Sequence, residues 1–167
     1  MKYSKASDWI EIAKGRTLSF EACVLHKYKD SEGVDTFGWG TNITQPFRNR
    51  NELIRFILRN IDDKQMIADY LFDGKFQEAL SNVHNLCSNY GIAFNRLPNN
   101  VKIVLSDMAY NMGYWRLASF KKMLTGIAEK NWKVAHDECL DSDYGRKLKK
   151  RSMANAILFL EIENKEV

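Results

Sequence analysis

Phe20-Glu21-Ala22-Cys23-Val24-Leu25-His26-Lys27-Tyr28-Lys29-Asp30-Ser31-Glu32-Gly33-Val34-Asp35-Thr36-Phe37-Gly38-Trp39-Gly40-Thr41 is the stretch on which the reading of this chain turns. Its centre mixes turn formers (Asp30, Ser31, Gly33) with strand formers (Val34, Thr36, Phe37, Trp39, Thr41 and then Ile43). The alternation from Val34 to Gly40 is long enough for a hairpin or a small three-stranded sheet and no more. Gly38 and Gly40 share one parity, so one face of this segment admits a close approach by another backbone or a ligand. Glu21 and Asp30 stand nine residues apart, the first beside a helical stretch and the second at the mouth of the turn. Two carboxyls placed across a groove suit glycoside hydrolysis, in which one donates a proton and the other directs water. Phe20 and Cys23 give Glu21 apolar neighbours, which favours a neutral acid, whereas the Ser/Gly turn keeps Asp30 solvated. Glu32 and Asp35 are rivals for the second role that spacing alone does not remove.

Outward from this stretch the chain reads helical. Leu53, Phe56, Ile57 and Ile61 suggest one short amphipathic helix. Asp62 or Asp63 can cap the next, with Met66, Ile67, Tyr70 and Leu71 as its apolar positions. Gly74 interrupts the pattern, and Phe76, Ala79, Leu80, Val83 and Cys87 resume it, leaving one kinked spine or two helices as alternatives. Asn99 or Asn100 opens a helix that Gly113 ends, followed by helices at 117–127, 132–140 and about 146–162. In the last of these Leu148, Ser152, Met153, Ala156, Ile157 and Leu160 are expected inward. The expectation is an α+β protein of 167 residues forming a single domain. Residues 15–62 would form a small sheet-bearing lobe, 63–87 a connecting helical region and 88–167 an all-helical lobe, with 1–14 packed against the latter.

Composition excludes several classes. Twenty-five Lys and Arg against 21 Asp and Glu give a formal charge of +4, a tilt too small for a dedicated nucleic-acid binder. Three cysteines, Cys23, Cys87 and Cys139, cannot form a fully paired framework, and no C-x-x-C occurs; they read as reduced, buried thiols. His26, His84 and His136 are scattered among helix and turn residues with no metal-ligand spacing, so neither metal nor cofactor is expected. No apolar run reaches the ~18 residues of a membrane span, and the first residues lack the apolar core of a signal peptide. Trp9 and Trp132 fit core positions, Trp39 shares its parity with Phe37, and Trp115 sits in a connection where it can face a groove. The run Arg146-Lys147-Leu148-Lys149-Lys150-Arg151 reads as a solvated helix face anchored by Leu148, or as a surface attracted to polyanions. Spacing puts Lys147 on the side of Arg151.

The pattern Glu, eight residues, Asp, five residues, Thr, one residue, Gly, one residue, Gly is similar to the active-site segment of the phage-type lysozymes, the T4- and P22-like endolysin muramidases of glycoside hydrolase family 24. The similarity continues more weakly at Asp107-Met108-Ala109-Tyr110-Asn111-Met112-Gly113, at Phe120 and Met123, and at Tyr144 and Arg151; residues 44–75 lie outside it. The resemblance implies a lysozyme-like α+β fold and hydrolysis of the β-1,4 link between N-acetylmuramic acid and N-acetylglucosamine. It implies Glu21 as general acid, Asp30 as the carboxylate that orients water with help from Thr36, and Arg151 as the support of the acid. Asn111, Trp115, Gly38 and Tyr144 are the implied glycan contacts. The partner would be peptidoglycan strands met by a monomer, with no specific nucleic acid and no membrane insertion. The implied role is host-cell lysis by an enzyme held in the host cytoplasm until the membrane is breached. Three positions depart from the pattern. Ala22 replaces a glycine, Thr41 a histidine able to pair with an acid on the connecting helix, and Ala154 an arginine. A catalytically silent wall-binding, virion or regulatory protein is the alternative these departures leave open.

Overall fold

The computed structural model describes residues 8–43 and 62–163. The helix expected around Leu53–Ile61 lies outside them. By contact density the chain divides into two units: Thr17–Gln77, and the residues up to Arg16 taken with Glu78–Val167.

In the first unit, three antiparallel strands form one sheet in the order β1 (Val24–Lys29), β2 (Asp35–Gly38), β3 (Thr41–Asn42). Tyr28 faces Thr36 and Lys29 faces Asp35 across β1 and β2, with an irregularity between Val24 and Tyr28; Phe37 faces Thr41 across β2 and β3. The expected three-stranded sheet therefore forms, and it begins earlier than the turn signals indicate, at Val24. Phe37, fully inward, meets Ile67, Ala68 and Leu71 of the long helix α2 (Lys64–Asn89), with Cys23, Leu25, Trp39 and Ile43 packed around them. Asp63 caps α2, its carboxylate accepting the Met66 N–H at 2.9 Å.

That helix is continuous over 26 residues, and Gly74 does not interrupt it. Leu71, Phe72 and Phe76 are all buried on either side of the glycine, and tertiary packing outweighs the ~1 kcal/mol that glycine costs a helix. Met66 and Tyr70, read as inward, are exposed, because the buried stripe runs through Ile67, Ala68, Leu71 and Phe72 instead.

The second unit starts with α1 (Asp8–Leu18), where Trp9, Ala13 and Thr17 recur every four residues on the buried face. Trp9 packs edge-on against Phe94 of a short 3-10 helix, with the Lys102 ammonium 5.7 Å from the Trp9 ring centre. Helices α3 (Asn99–Ala118), α4 (Lys121–Ala128), α5 (Trp132–Leu140), α6 (Asp143–Lys147) and α7 (Lys149–Glu163) follow. α5 packs on α4 and α7, around a core that includes Leu105, Met108, Met123, Leu124, Ile127 and Phe159. Gly113, at φ +75°, ends the regular part of α3 as expected.

Two helices read as continuous are broken. The 117–127 segment stops at Ser119 and restarts at Lys121, and the terminal segment divides at Leu148, whose backbone (φ −118°, ψ 50°) leaves the helical region. The break rotates α7 relative to α6, so Lys147 is exposed whereas Arg151 is buried. Leu148 is no anchor, and Met153 and Ile157 face solvent at 58% and 52% exposure. Ser152, Asn155, Ala156 and Phe159 form the inward face of α7. The small sheet unit and the all-helical unit together make the α+β architecture the sequence implies.

Candidate active site

Glu21 follows the end of α1, its N–H donating to the Leu18 carbonyl at 3.1 Å. It is half-buried and lies against Gly40, so closely that a methyl added to Gly40 would stand 3.1 Å from Glu21 Oε2. Gly40 has φ +73°, a conformation that side chains rarely adopt, so geometry and space both demand glycine there. Gly38, at φ +62°, makes its close approach to Ala68 of α2, and its missing side chain serves helix packing.

Asp30 closes the β1–β2 turn. Its Oδ1 accepts the Glu32 and Val34 N–H groups at 2.9 Å each, and its main chain pairs with Val34 and Gly33. Gly33, at φ +76°, supplies the reversal. These bonds fix the direction of the Asp30 carboxylate. Thr36 is buried in β2, its hydroxyl donating to the Val34 carbonyl at 3.0 Å. Both carboxylates act on one neighbour. The Tyr28 phenol is pushed up first by burial, then by the negative charges of Glu21 and Asp30. Tyr28 faces Thr36 across the sheet, so Glu21, Asp30, Thr36 and Tyr28 share one locality of the first unit.

Of the two rival acids, Glu32 is exposed and Asp35 is engaged elsewhere. Lys27 and Lys29 ammoniums, 2.6 and 2.7 Å from its oxygens, hold the Asp35 carboxyl below the usual carboxylate range. Trp39 is half-buried and donates its indole N–H to Asp69 at 2.8 Å.

The remaining candidates belong to the helical unit. Asn111 is exposed near the end of the regular part of α3, and Trp115 is 83% exposed beyond it. Arg151 and Asp107 are both buried and form a bidentate pair, Nε to Oδ2 at 3.0 Å and Nη2 to Oδ1 at 2.8 Å. Asn155 joins them, its amide donating to Asp107 at 2.7 Å and to the Tyr144 hydroxyl at 3.0 Å. Tyr144 is thus part of a buried polar network and packs edge-on against Phe120. Burial, followed by the Asp107 charge, raises its phenol well above the usual range.

Sequence reasoning missed the roles of three residues here. Tyr28 stands in the deciding stretch without a role read for it. Asp107 heads a motif that the resemblance noted without assigning it work. Lys75, whose ammonium donates to the Gly40 carbonyl at 3.0 Å, gave no signal, because a lysine on a helix is usually solvent-facing.

The departures from the expected pattern cost the backbone nothing. Lys130 is the one non-glycine with positive φ among the described residues, so Ala22 is unstrained. Ala154 takes part through its carbonyl, which accepts from Arg16. The Thr41 hydroxyl is buried without a hydrogen-bond partner.

A family model described as phage lysozyme matches residues 18–155. Two proteins of Dictyostelium discoideum are similar over most of their length. One, described as probable T4-type lysozyme 2, is 30% identical over 140 residues, 77% of this chain and 81% of that protein. The other, described as probable T4-type lysozyme 1, is 29% identical over 139 residues, with the same shares.

Proposed function

The chain belongs to the phage lysozyme family, and from that membership we propose that it is a muramidase cleaving the β-1,4 bond from N-acetylmuramic acid to N-acetylglucosamine with inversion. The observation that carries this reading is that the sheet unit holds Glu21 against Gly40 and Asp30 fixed in the β1–β2 turn, at the spacing the family pattern requires. Glu21 donates its proton to the glycosidic oxygen as the C–O bond breaks and positive charge develops on the sugar ring. Asp30 takes a proton from a water that attacks the opposite face, and its backbone-bound Oδ1 keeps the carboxylate from swinging during that transfer. Thr36, whose proton is given to Val34, offers its oxygen as an acceptor to the same water. Arg151 is held by Asp107 within the helical unit. Asn111 and Trp115 are the exposed groups that meet the glycan, and the role is wall degradation once the chain reaches peptidoglycan.

Purified peptidoglycan incubated with the protein, followed by proton NMR of the new reducing ends before mutarotation, tests this reading. The α-anomer should appear first, because inversion of a β-link yields it. The β-anomer appearing first overturns inversion while leaving hydrolysis in place. Binding without new reducing ends overturns the enzyme and favours the silent wall-binding alternative.

A further inference from the structure

Helix α2 meets the glycine turn at two points. Ala68 lies so close to Gly38 that a side chain on the glycine would stand 2.8 Å from the Ala68 methyl. Seven residues on, Lys75 Nζ donates to the Gly40 carbonyl at 3.0 Å. Seven residues is just under two turns, so both side chains leave one face of the helix, roughly 10.5 Å apart along its axis. The first contact is steric and sets how deep the turn sits. The second is polar and directional, and sets the rotation of the Gly40 peptide. Gly40 therefore carries an ammonium on its carbonyl and the Glu21 carboxyl against its α-carbon. Thr41 adds nothing to this hold, since its hydroxyl is buried without a partner. The family resemblance has an ionisable histidine at that position; here the charge that grips the turn comes from the helix and meets Gly40, the residue before the strand.

We propose that Lys75 is a positioning residue. By holding the Gly40 carbonyl it fixes the glycine turn beneath Glu21, and with it the direction from which that acid reaches the glycosidic oxygen. The proposal rests on the reading of Glu21 as general acid, and its test separates the two. Misplacing a reacting group by about 1 Å costs up to ~10²-fold in turnover without requiring loss of binding.

Wild type, Lys75→Met and Lys75→Arg are compared for kcat and KM on soluble peptidoglycan fragments, and for amide hydrogen exchange at Thr41 and Asn42. The methionine variant should lose about tenfold or more in kcat with KM within about twofold, and the arginine variant should restore kcat to within about threefold. The methionine variant should also exchange about tenfold faster at Thr41 and Asn42, with Tyr28 and Thr36 unchanged. If the methionine variant fails to fold, Lys75→Gln takes its place: one atom shorter and uncharged, it should show the same loss of kcat and the same faster exchange. Unchanged kcat, equal losses in the arginine and methionine variants, or unchanged exchange at β3 would each overturn the proposal. A folded Glu21→Gln variant with ordinary turnover defeats the general-acid reading instead, and the exchange measurement still reports whether Lys75 holds the turn.

Discussion

Asp107 is fully buried, and Arg151 and Asn155 both donate to its carboxylate. Removing Arg151 leaves that carboxylate buried with its counter-charge gone, a loss typically worth about 3–5 kcal/mol. Arg151→Ala should therefore melt far below wild type, whereas Lys149→Ala with Lys150→Ala, both at exposed positions, should cost a few tenths of a kcal/mol at most. Equal, small losses would contradict the buried pair. Two thiols give a second, pH-dependent expectation. Burial pushes Cys87 up to about 11, and burial with the nearby Asp107 charge pushes Cys139 up to about 12. Their ordinary value is 9.0, so the unfolded chain releases these protons first. Their contribution is complete below pH 9.0 and is lost as pH rises through 11 and 12. Melting temperature should fall across that window, and Cys139→Ala should fall less steeply than wild type.

The elements were legible where a local signal and the packing agreed. Of the two candidate caps, Asp62 and Asp63, the second serves, and Trp132–Leu140 was bounded correctly because Asn131 caps its start, accepting the Val134 N–H at 3.1 Å. Gly74, which left one spine or two helices open, and Leu148, expected inside a helix, go against local propensity in opposite ways. A breaker residue was overridden by buried neighbours, and a good helix former sits at a break. Ser142 caps α6 through the Gly145 N–H, and Gly145 packs on the Leu140 carbonyl, so α6 is set by α5 and not by its own periodicity. Two glycine substitutions separate these influences. Gly15 lies within α1 with nothing inside 4 Å of an added methyl, so Gly15→Ala should stabilise by roughly 0.5–1 kcal/mol. Gly145→Ala drives a methyl into the Leu140 carbonyl oxygen and should destabilise by about 1–3 kcal/mol. Thermal melting reads both, and a shared sign would contradict the packing described for one of them.

At the scale of the molecule, the small sheet unit holds both carboxylates and the helical unit holds the Asp107–Arg151 network. The turn that carries Asp30 was readable because Asp30, Ser31 and Gly33 are local features of a short sheet. The partners that hold these groups were not, because Lys75 is 35 residues from Gly40 and Asp107 is 44 from Arg151. A polar bond across such a distance leaves no periodicity behind, and a buried arginine inside a basic run looks like one more surface charge. Family membership supplies the chemistry expected of the chain, and Glu21 is the residue on which the catalytic account stands. The direct test is the rate at which folded Glu21→Gln, verified by circular dichroism and melting, releases reducing ends from purified peptidoglycan. General acid assistance is worth about 10²–10⁴ in rate, so the variant should fall at least ~100-fold below wild type. A folded Gln variant that works at the ordinary rate would contradict the assignment of Glu21 as the acid.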